Sequence, residues 1–299
     1  MNPRSVRWKN DVLILDGGMG TLLQVKGLPP SHPPVLCSVE HPDQVQRLHE
    51  AYIEAGADII FTNTFGASRL RLEPHGWGDR VAELNRAAVR LAREAAQDRA
   101  LVAGDIGPCG PAASTFRQLS RERAFSIFTE QVEALASAGV DLLAIETIAD
   151  LKEMDVAVAA ARSVAPALPI LGSLTFDKDG KLRSGESPAL AARALETMGV
   201  EIAGANCSFG FRSLIPICEE MATATALPLA LKPSAGVPPE PPASPEEAAD
   251  YARRLVEAGA TLVGGCCGVG PAMLRAIARA VKGMVPVRRF SVASSSRES

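Results

Sequence analysis

The chain has 299 residues, 47% of them hydrophobic, with a formal charge of −3 and no basic cluster. That composition excludes a mostly disordered chain and argues against a nucleic-acid surface. No run approaches the ~18 consecutive apolar residues of a membrane span, and the start, MNPRSVRWKN, lacks the apolar core of a signal peptide. A cytoplasmic protein with reduced thiols is expected.

Eight short apolar runs follow one another along the chain. They are VLILD (12–16), DIIFTN (58–63), LVAGDIG (101–107), DLLAIE (141–146), PILGSLTF (169–176), EIAGANC (201–207), PLALKP (228–233) and TLVGGCC (261–267). Branched aliphatics at successive positions are how parallel strands covered on both faces read. Helical patterns lie between them, near 43–56, 82–97, 121–139, 149–163, 188–199, 212–224, 245–259 and 271–282. One junction recurs: EAGADII, SAGVDLL, TMGVEIA and EAGATLV each place a Gly (56, 139, 199, 259) between a helix and the next strand. Glycine there suits the left-handed residue just past a helix.

Eight strand–helix units in about 270 residues predict an α/β fold, a single-domain (β/α)8 TIM barrel over residues 1–285. A doubly wound open sheet has the same local pattern, but no GxGxxG follows the first strand. The proline-rich stretch 236–247 reads as a rigid loop before a helix capped by Ser244, with Pro245 at its first position. The tail 286–299 is expected to be disordered.

Active sites of such barrels lie at the C-terminal ends of the strands. The unusual residues fall there: Asp16 in DGGMGT, TNTFGAS (62–68), GPCG (107–110), Glu146 in ETIADL, Cys207 in GANCS, and Cys266 and Cys267 in GGCCG. Cys207 and the Cys266–Cys267 pair therefore converge although 59 residues separate them. Three thiolates are a good shell for zinc and leave a fourth position open. Glycines 264, 265 and 268 let the backbone turn both adjacent cysteines to one side. The alternatives are a vicinal disulfide or an inert buried pair. Cys37, Cys109 and Cys218 read as small core residues.

A zinc ion with three thiolates activates water weakly and suits a fourth thiolate. The chemistry implied is alkyl transfer to a substrate thiol. Asp16 and Glu146 face the same mouth and together could bind an ammonium group; a helix cap or a salt bridge is the plainer reading of each. DGGMGT exposes backbone N–H groups near a helix start, a cradle for a carboxylate or phosphate. Combined, these features describe an amino acid with a side-chain thiol.

The motifs DGGMGT, TNTFGAS, GPCG, ETIADL, SLTFDKDGKLRSGES (173–187), GANCS and GGCCG resemble the homocysteine S-methyltransferase family over about residues 10–282. The resemblance implies a zinc barrel making methionine from homocysteine, with zinc on Cys207, Cys266 and Cys267. It implies Asp16 and Glu146 near the amino group, the backbone of Gly17, Gly18 and Met19 near the carboxylate, and Asn206 as a further substrate contact. Cobalamin-linked relatives carry PNAG at the seventh strand end, where the Asn can complete the metal shell. KPSAG (232–236) stands here, so Ser234 or water is expected instead.

The betaine branch of the family has Tyr after the fourth-strand Glu and an aromatic in the second-strand motif. Thr147 and Gly66 occupy those positions, and aromatics are only 4% of the chain, so an aromatic cage for betaine is not expected. S-methylmethionine or another sulfonium is the expected donor. The alternative is the homocysteine-activating module of a split methionine synthase, methylated by methylcobalamin or methyltetrahydrofolate on a corrinoid or folate-binding partner. A chain of 299 residues accommodates one barrel and no donor domain, so the methyl group is expected from outside.

Overall fold

A computed structural model describes residues 11–111, 114–208, 210–236 and 242–287. Eight parallel strands alternate with helices. The strands are β1 (Leu13–Ile14), β2 (Ile59–Phe61), β3 (Leu101–Ile106), β4 (Leu142–Ile148), β5 (Ile170–Leu174), β6 (Ile202–Cys207), β7 (Leu229–Pro233) and β8 (Leu262–Val263). The helices that follow them are α1 (Pro42–Ala55), α2 (Val81–Ala96), α3 (Arg121–Ser137), α4 (Leu151–Val164), α5 (Pro188–Met198), α6 (Phe211–Ala224), α7 (Pro245–Ala258) and α8 (Pro271–Val281). The strand order is β1-β8-β7-β6-β5-β4-β3-β2. A Leu15–Ile59 bridge and the bond from Asp16 N–H to the Ile59 carbonyl, 3.1 Å, join the two ends of that order. The result is the expected (β/α)8 barrel.

Side-chain alternation sorts the strand residues into two layers. Leu13, Leu15, Ile59, Phe61, Leu101, Ala103, Leu142, Ala144, Leu171, Ile202, Ala230 and Leu262 form a small core of their own, the filling of the barrel. Their strand neighbours, such as Ile60, Val102, Leu143 and Ile170, pack outward with the apolar faces of the helices. A continuous apolar strand is thus explained by burial on both faces.

The junctions follow local chemistry. Gly56, Gly139, Gly199 and Gly259 all take positive φ, from 80° to 119°. The Ser244 hydroxyl accepts from Glu247 N–H, and the Glu247 carboxylate accepts from Ser244 N–H, a capping box with Pro245 behind it. The preceding residues 237–241 lie outside the described residues, as does the tail from 288 onward. Two short helices, Met19–Val25 and Cys37–Glu40, were not expected; they line the passage from β1 to α1. Among the described residues, no helix is long and apolar enough to cross a membrane.

His49 on α1 is fully buried, and neither ring nitrogen has a hydrogen-bond partner. Burial pushes its pKa from 6.5 down to about 4. The unfolded chain therefore takes up a proton first, and stability falls as pH drops from 6.5 toward about 4. Between pH 7 and pH 5, His49→Met is expected to lose about 2 kcal/mol less stability than the natural chain. Denaturant titrations of both at the two pH values check this. Parallel losses would contradict it.

Candidate active site

The C-terminal mouth of the barrel opens into a cavity of about 540 Å³. Its wall includes Asp16, Asp105, Glu146, Lys232 and all three converging cysteines. The ligand sulfurs of Cys207, Cys266 and Cys267 lie within 4.8 Å of one another. Four ligands at ~2.3 Å around one zinc separate neighbouring sulfurs by ~3.8 Å, so the trio fits one ion. None of the six cysteines is disulfide-bonded, and Cys37, Cys109 and Cys218 are buried.

The loop chemistry that gathers the sulfurs is visible. Cys207 ends β6 with φ 61° and Ser208 follows with φ 52°. Both are left-handed, an uncommon state for residues with a Cβ. After β8 the chain turns sharply: Cys266 N–H donates to the Pro233 carbonyl and Val269 N–H to the Cys266 carbonyl. Gly18 packs so close that a Cβ there would stand 2.6 Å from the Cys266 carbonyl oxygen. The Tyr52 hydroxyl lies 2.9 Å from the Val269 carbonyl and 3.2 Å from that of Gly18, joining the β1 and β8 loops.

The sulfurs are electrically poised. Hydrogen bonds from the Cys266 and Cys267 thiols hold the Cys207 pKa down to about 3, and the Ser234 hydroxyl, 3.6 Å from its sulfur, adds to this. The same hydrogen bonds raise the Cys266 and Cys267 thiols.

Asn206 is held among side chains of β4 and β5. It is fully buried and is not part of the cavity wall. Its side-chain oxygen accepts from Thr147 N–H at 2.9 Å and from the Ser173 hydroxyl at 2.7 Å. Its Nδ2 donates to Thr147 Oγ1 at 2.7 Å and lies 3.9 Å from the Cys266 sulfur. Alternation from Ile202 turns Asn206 into the barrel interior beside Ser173, while the left-handed backbone of Cys207 brings its sulfur to the mouth. Asn206 is a positioning residue. It clamps Thr147, whose φ of 61° marks the irregularity between Ile145 and Ile148 of β4.

The two strand-end carboxylates make the salt bridges that are the plainer reading of each. Asp16 and Glu146 both face the cavity, but an internal ammonium already lies between them. Lys232 Nζ is 3.2 Å from Glu146 and 3.5 Å from Asp16, and sits 3.3 Å from the Phe61 ring centroid. Burial alone would lower the lysine's pKa. Glu146, Asp16 and Asp105 overcome that and hold it charged. Burial pushes Asp16 up to about 6 and raises Glu146 as well, although Lys232 opposes both shifts. Asp16 Oδ2 accepts from Phe61 N–H at 2.7 Å.

Lys232 and Asp105 were missed by sequence reasoning. Each is a lone charge near the C-terminal end of an apolar strand run, which is the signal that could have found them. The DGGMGT backbone is only partly free: Gly18 N–H donates to the Val269 carbonyl at 3.1 Å. Gly17, Gly18 and Met19 all line the cavity, as do His32 and His75.

Eight-fold barrel, strand-end thiols and buried carboxylates together define an enzyme site, and the class is that of a methyltransferase. The homocysteine S-methyltransferase family model matches residues 13–281, and the chain belongs to that family. Among solved structures, the homocysteine methyltransferase MmuM from Escherichia coli superposes in its oxidised form with a TM-score of 0.79 at 28% identity, covering 92% of this chain and 98% of that one. Its metallated form gives 0.78 at 26% identity with the same coverage. Methionine synthase from Mycobacterium tuberculosis is 30% identical across 90% of this chain. The chain spans 24% of the length of that relative.

Proposed function

We propose that the chain is a zinc-dependent homocysteine S-methyltransferase that makes methionine with a sulfonium donor, S-methylmethionine being the first candidate. The observation that carries this reading is the three-cysteine cluster set in one cavity with buried carboxylates. Cys207, Cys266 and Cys267 would hold the ion, with Ser234 beside the cluster as a candidate fourth ligand. Bound zinc would supply a place where a substrate thiol stays deprotonated at neutral pH. The other components are the chain's own. Asn206 fixes the Thr147 and Cys266 segments relative to each other. The acidic wall receives the substrate's ammonium group, and Met19 with its neighbouring backbone lies where the carboxylate would rest.

The transfer itself is a displacement. A sulfur lone pair of homocysteine forms the new S–CH3 bond as the donor's C–S bond breaks, and the donor leaves as a neutral thioether. The thiol proton goes to solvent, so no protein base is required. Holding both reactants in line in one cavity supplies much of the rate. Negative wall charge favours a cationic donor over a neutral one. Reduced thiols at the site fit a cytoplasmic location.

A second reading is kept because of the methionine synthase relatives: the chain would activate homocysteine for a methyl group carried on a corrinoid or folate-binding partner. A donor panel on the purified zinc-loaded chain separates the two. Methionine formed from S-methylmethionine alone is the expected result. No turnover with any sulfonium, and turnover with methylcobalamin, would favour the second reading.

A further inference from the structure

Charge in the cavity is sorted by depth. Its buried floor is acidic, with Asp16, Asp105 and Glu146 around the single ammonium of Lys232. Above that floor the lining residues include no carboxylate, and the basic side chains are Arg71, His32 and His75, each half-buried or exposed. His32 is already matched, its Nε2 lying 2.7 Å from Glu40. Arg71 makes no ion pair within 4.0 Å among the described residues. It is the permanent cation of the rim.

Arg71 is held in place from two sides. It lies on the short helix Arg69–Leu72 that follows β2. Its Nη1 donates to the Gly110 carbonyl at 2.9 Å, and its guanidinium carbon is 5.2 Å from the Phe65 ring centroid. The Ser68 hydroxyl donates to the Cys109 carbonyl at 3.0 Å and ties the same turn to the β3 loop. A guanidinium has five N–H donors, and the bond to Gly110 uses one of them. The Nε–Nη2 edge, which suits a carboxylate with two parallel bonds, has no partner among the described residues. Gly66 leaves that edge open, because a Cβ there would stand 3.5 Å from Nε. Burial lowers the Arg71 pKa, while Cys109 and Glu153 act against that shift. Glu153 is not its mate: it is buried outside the cavity lining and accepts Cys109 N–H at 3.0 Å.

We propose that Arg71 binds the carboxylate of the methyl donor, so that a sulfonium lies with its positive sulfur toward the acidic floor and its anionic end on the rim. This rests on the reading that the donor is a sulfonium. Opposite charges at the two ends of one small molecule match a cavity whose charges are sorted the same way. Arg71 touches the far end of the donor and none of the reacting atoms. It therefore decides which sulfonium is held and in which direction it enters. A sulfonium without the carboxylate offers the same methyl group and has no hold on the rim.

Two donors test this on the zinc-loaded protein with homocysteine saturating. S-methylmethionine carries the carboxylate; (3-aminopropyl)dimethylsulfonium is the same molecule with hydrogen in its place. The natural chain is expected to favour S-methylmethionine in kcat/KM by about ten- to a hundredfold, the range of a hydrogen bond between charged groups. In Arg71→Gln that preference is expected to fall to within about threefold, through loss with S-methylmethionine alone and with the KM for homocysteine unchanged. Arg71→Met serves as the second variant should the first fold poorly. A preference that survives the substitution overturns the proposal, as does equal weakening of the two donors or a natural chain that does not distinguish them. Absence of methionine from either sulfonium with the natural chain would overturn the sulfonium reading itself, and this inference with it. Turnover of S-methylmethionine with an undiminished preference in the variant overturns this inference alone.

Discussion

Alanine in place of Cys207, Cys266 or Cys267 is expected to abolish both zinc retention and methyl transfer. The three sulfurs come from two separate loops, and their distances within 4.8 Å suit one ion. Removing one leaves a pair that cannot complete a shell of three protein ligands. Outer-shell partners of metal ligands already command roughly 10- to 100-fold in affinity or activity, so loss of a ligand should exceed that. Cys218→Ala is the control. That residue is buried on α6, remote from the cluster in role, and its loss should leave zinc content and turnover within about twofold. Metal analysis and a methionine assay on the same preparations check both. Full activity in a cysteine variant that holds no zinc would refute the assignment.

Lys232→Met is expected to be the most destabilising single change in the mouth. It removes the one ammonium from Asp16 and Glu146, at 3.5 and 3.2 Å, and leaves both carboxylates buried. Breaking a buried pair from one side costs roughly 3–5 kcal/mol. The pH dependence has a definite sign. Asp16 already titrates at about 6 in the folded chain, above its ordinary 3.8. A raised carboxylate pKa favours the fold as pH falls, because the folded state then binds the proton that the unfolded state does not hold. Without the lysine this relief starts at higher pH, so the variant should be closest to the natural chain near pH 5 and furthest from it near pH 8. Denaturant midpoints at those two pH values measure it. An equal deficit at both, or a deficit below about 1 kcal/mol, would show that the lysine does not compensate these carboxylates.

Much of the barrel was legible because its local signals are redundant. Apolar runs such as DIIFTN and DLLAIE, the four glycines at helix ends and the Ser244–Pro245 cap each reflect short-range physics. The cysteine cluster was legible for a different reason. Adjacent cysteines between glycines at a strand end are rare, and barrel topology brings them beside Cys207. The charge arrangement was less so. Lys232 lies in PLALKP, where a single polar residue in an apolar strand does not say which side it faces. Its partners come from β4 and the end of β1, 86 and 216 positions away in the chain. Asp105 was hidden in the same way within LVAGDIG. The bonds from Asn206 to Thr147 and Ser173 were not legible, because they join β6 to β4 and β5 across the barrel. The short helix Met19–Val25 has too few turns to show a period.

Site-resolved thiol alkylation with metal counting tests the central claim most directly. The natural chain is treated with iodoacetamide under reducing conditions, with and without zinc, and read by mass spectrometry. The account predicts one zinc per chain and zinc-dependent protection of Cys207, Cys266 and Cys267 together, lost on chelation. Labelling of these three that is indifferent to zinc, or a Cys266–Cys267 disulfide that persists under those conditions, would contradict it.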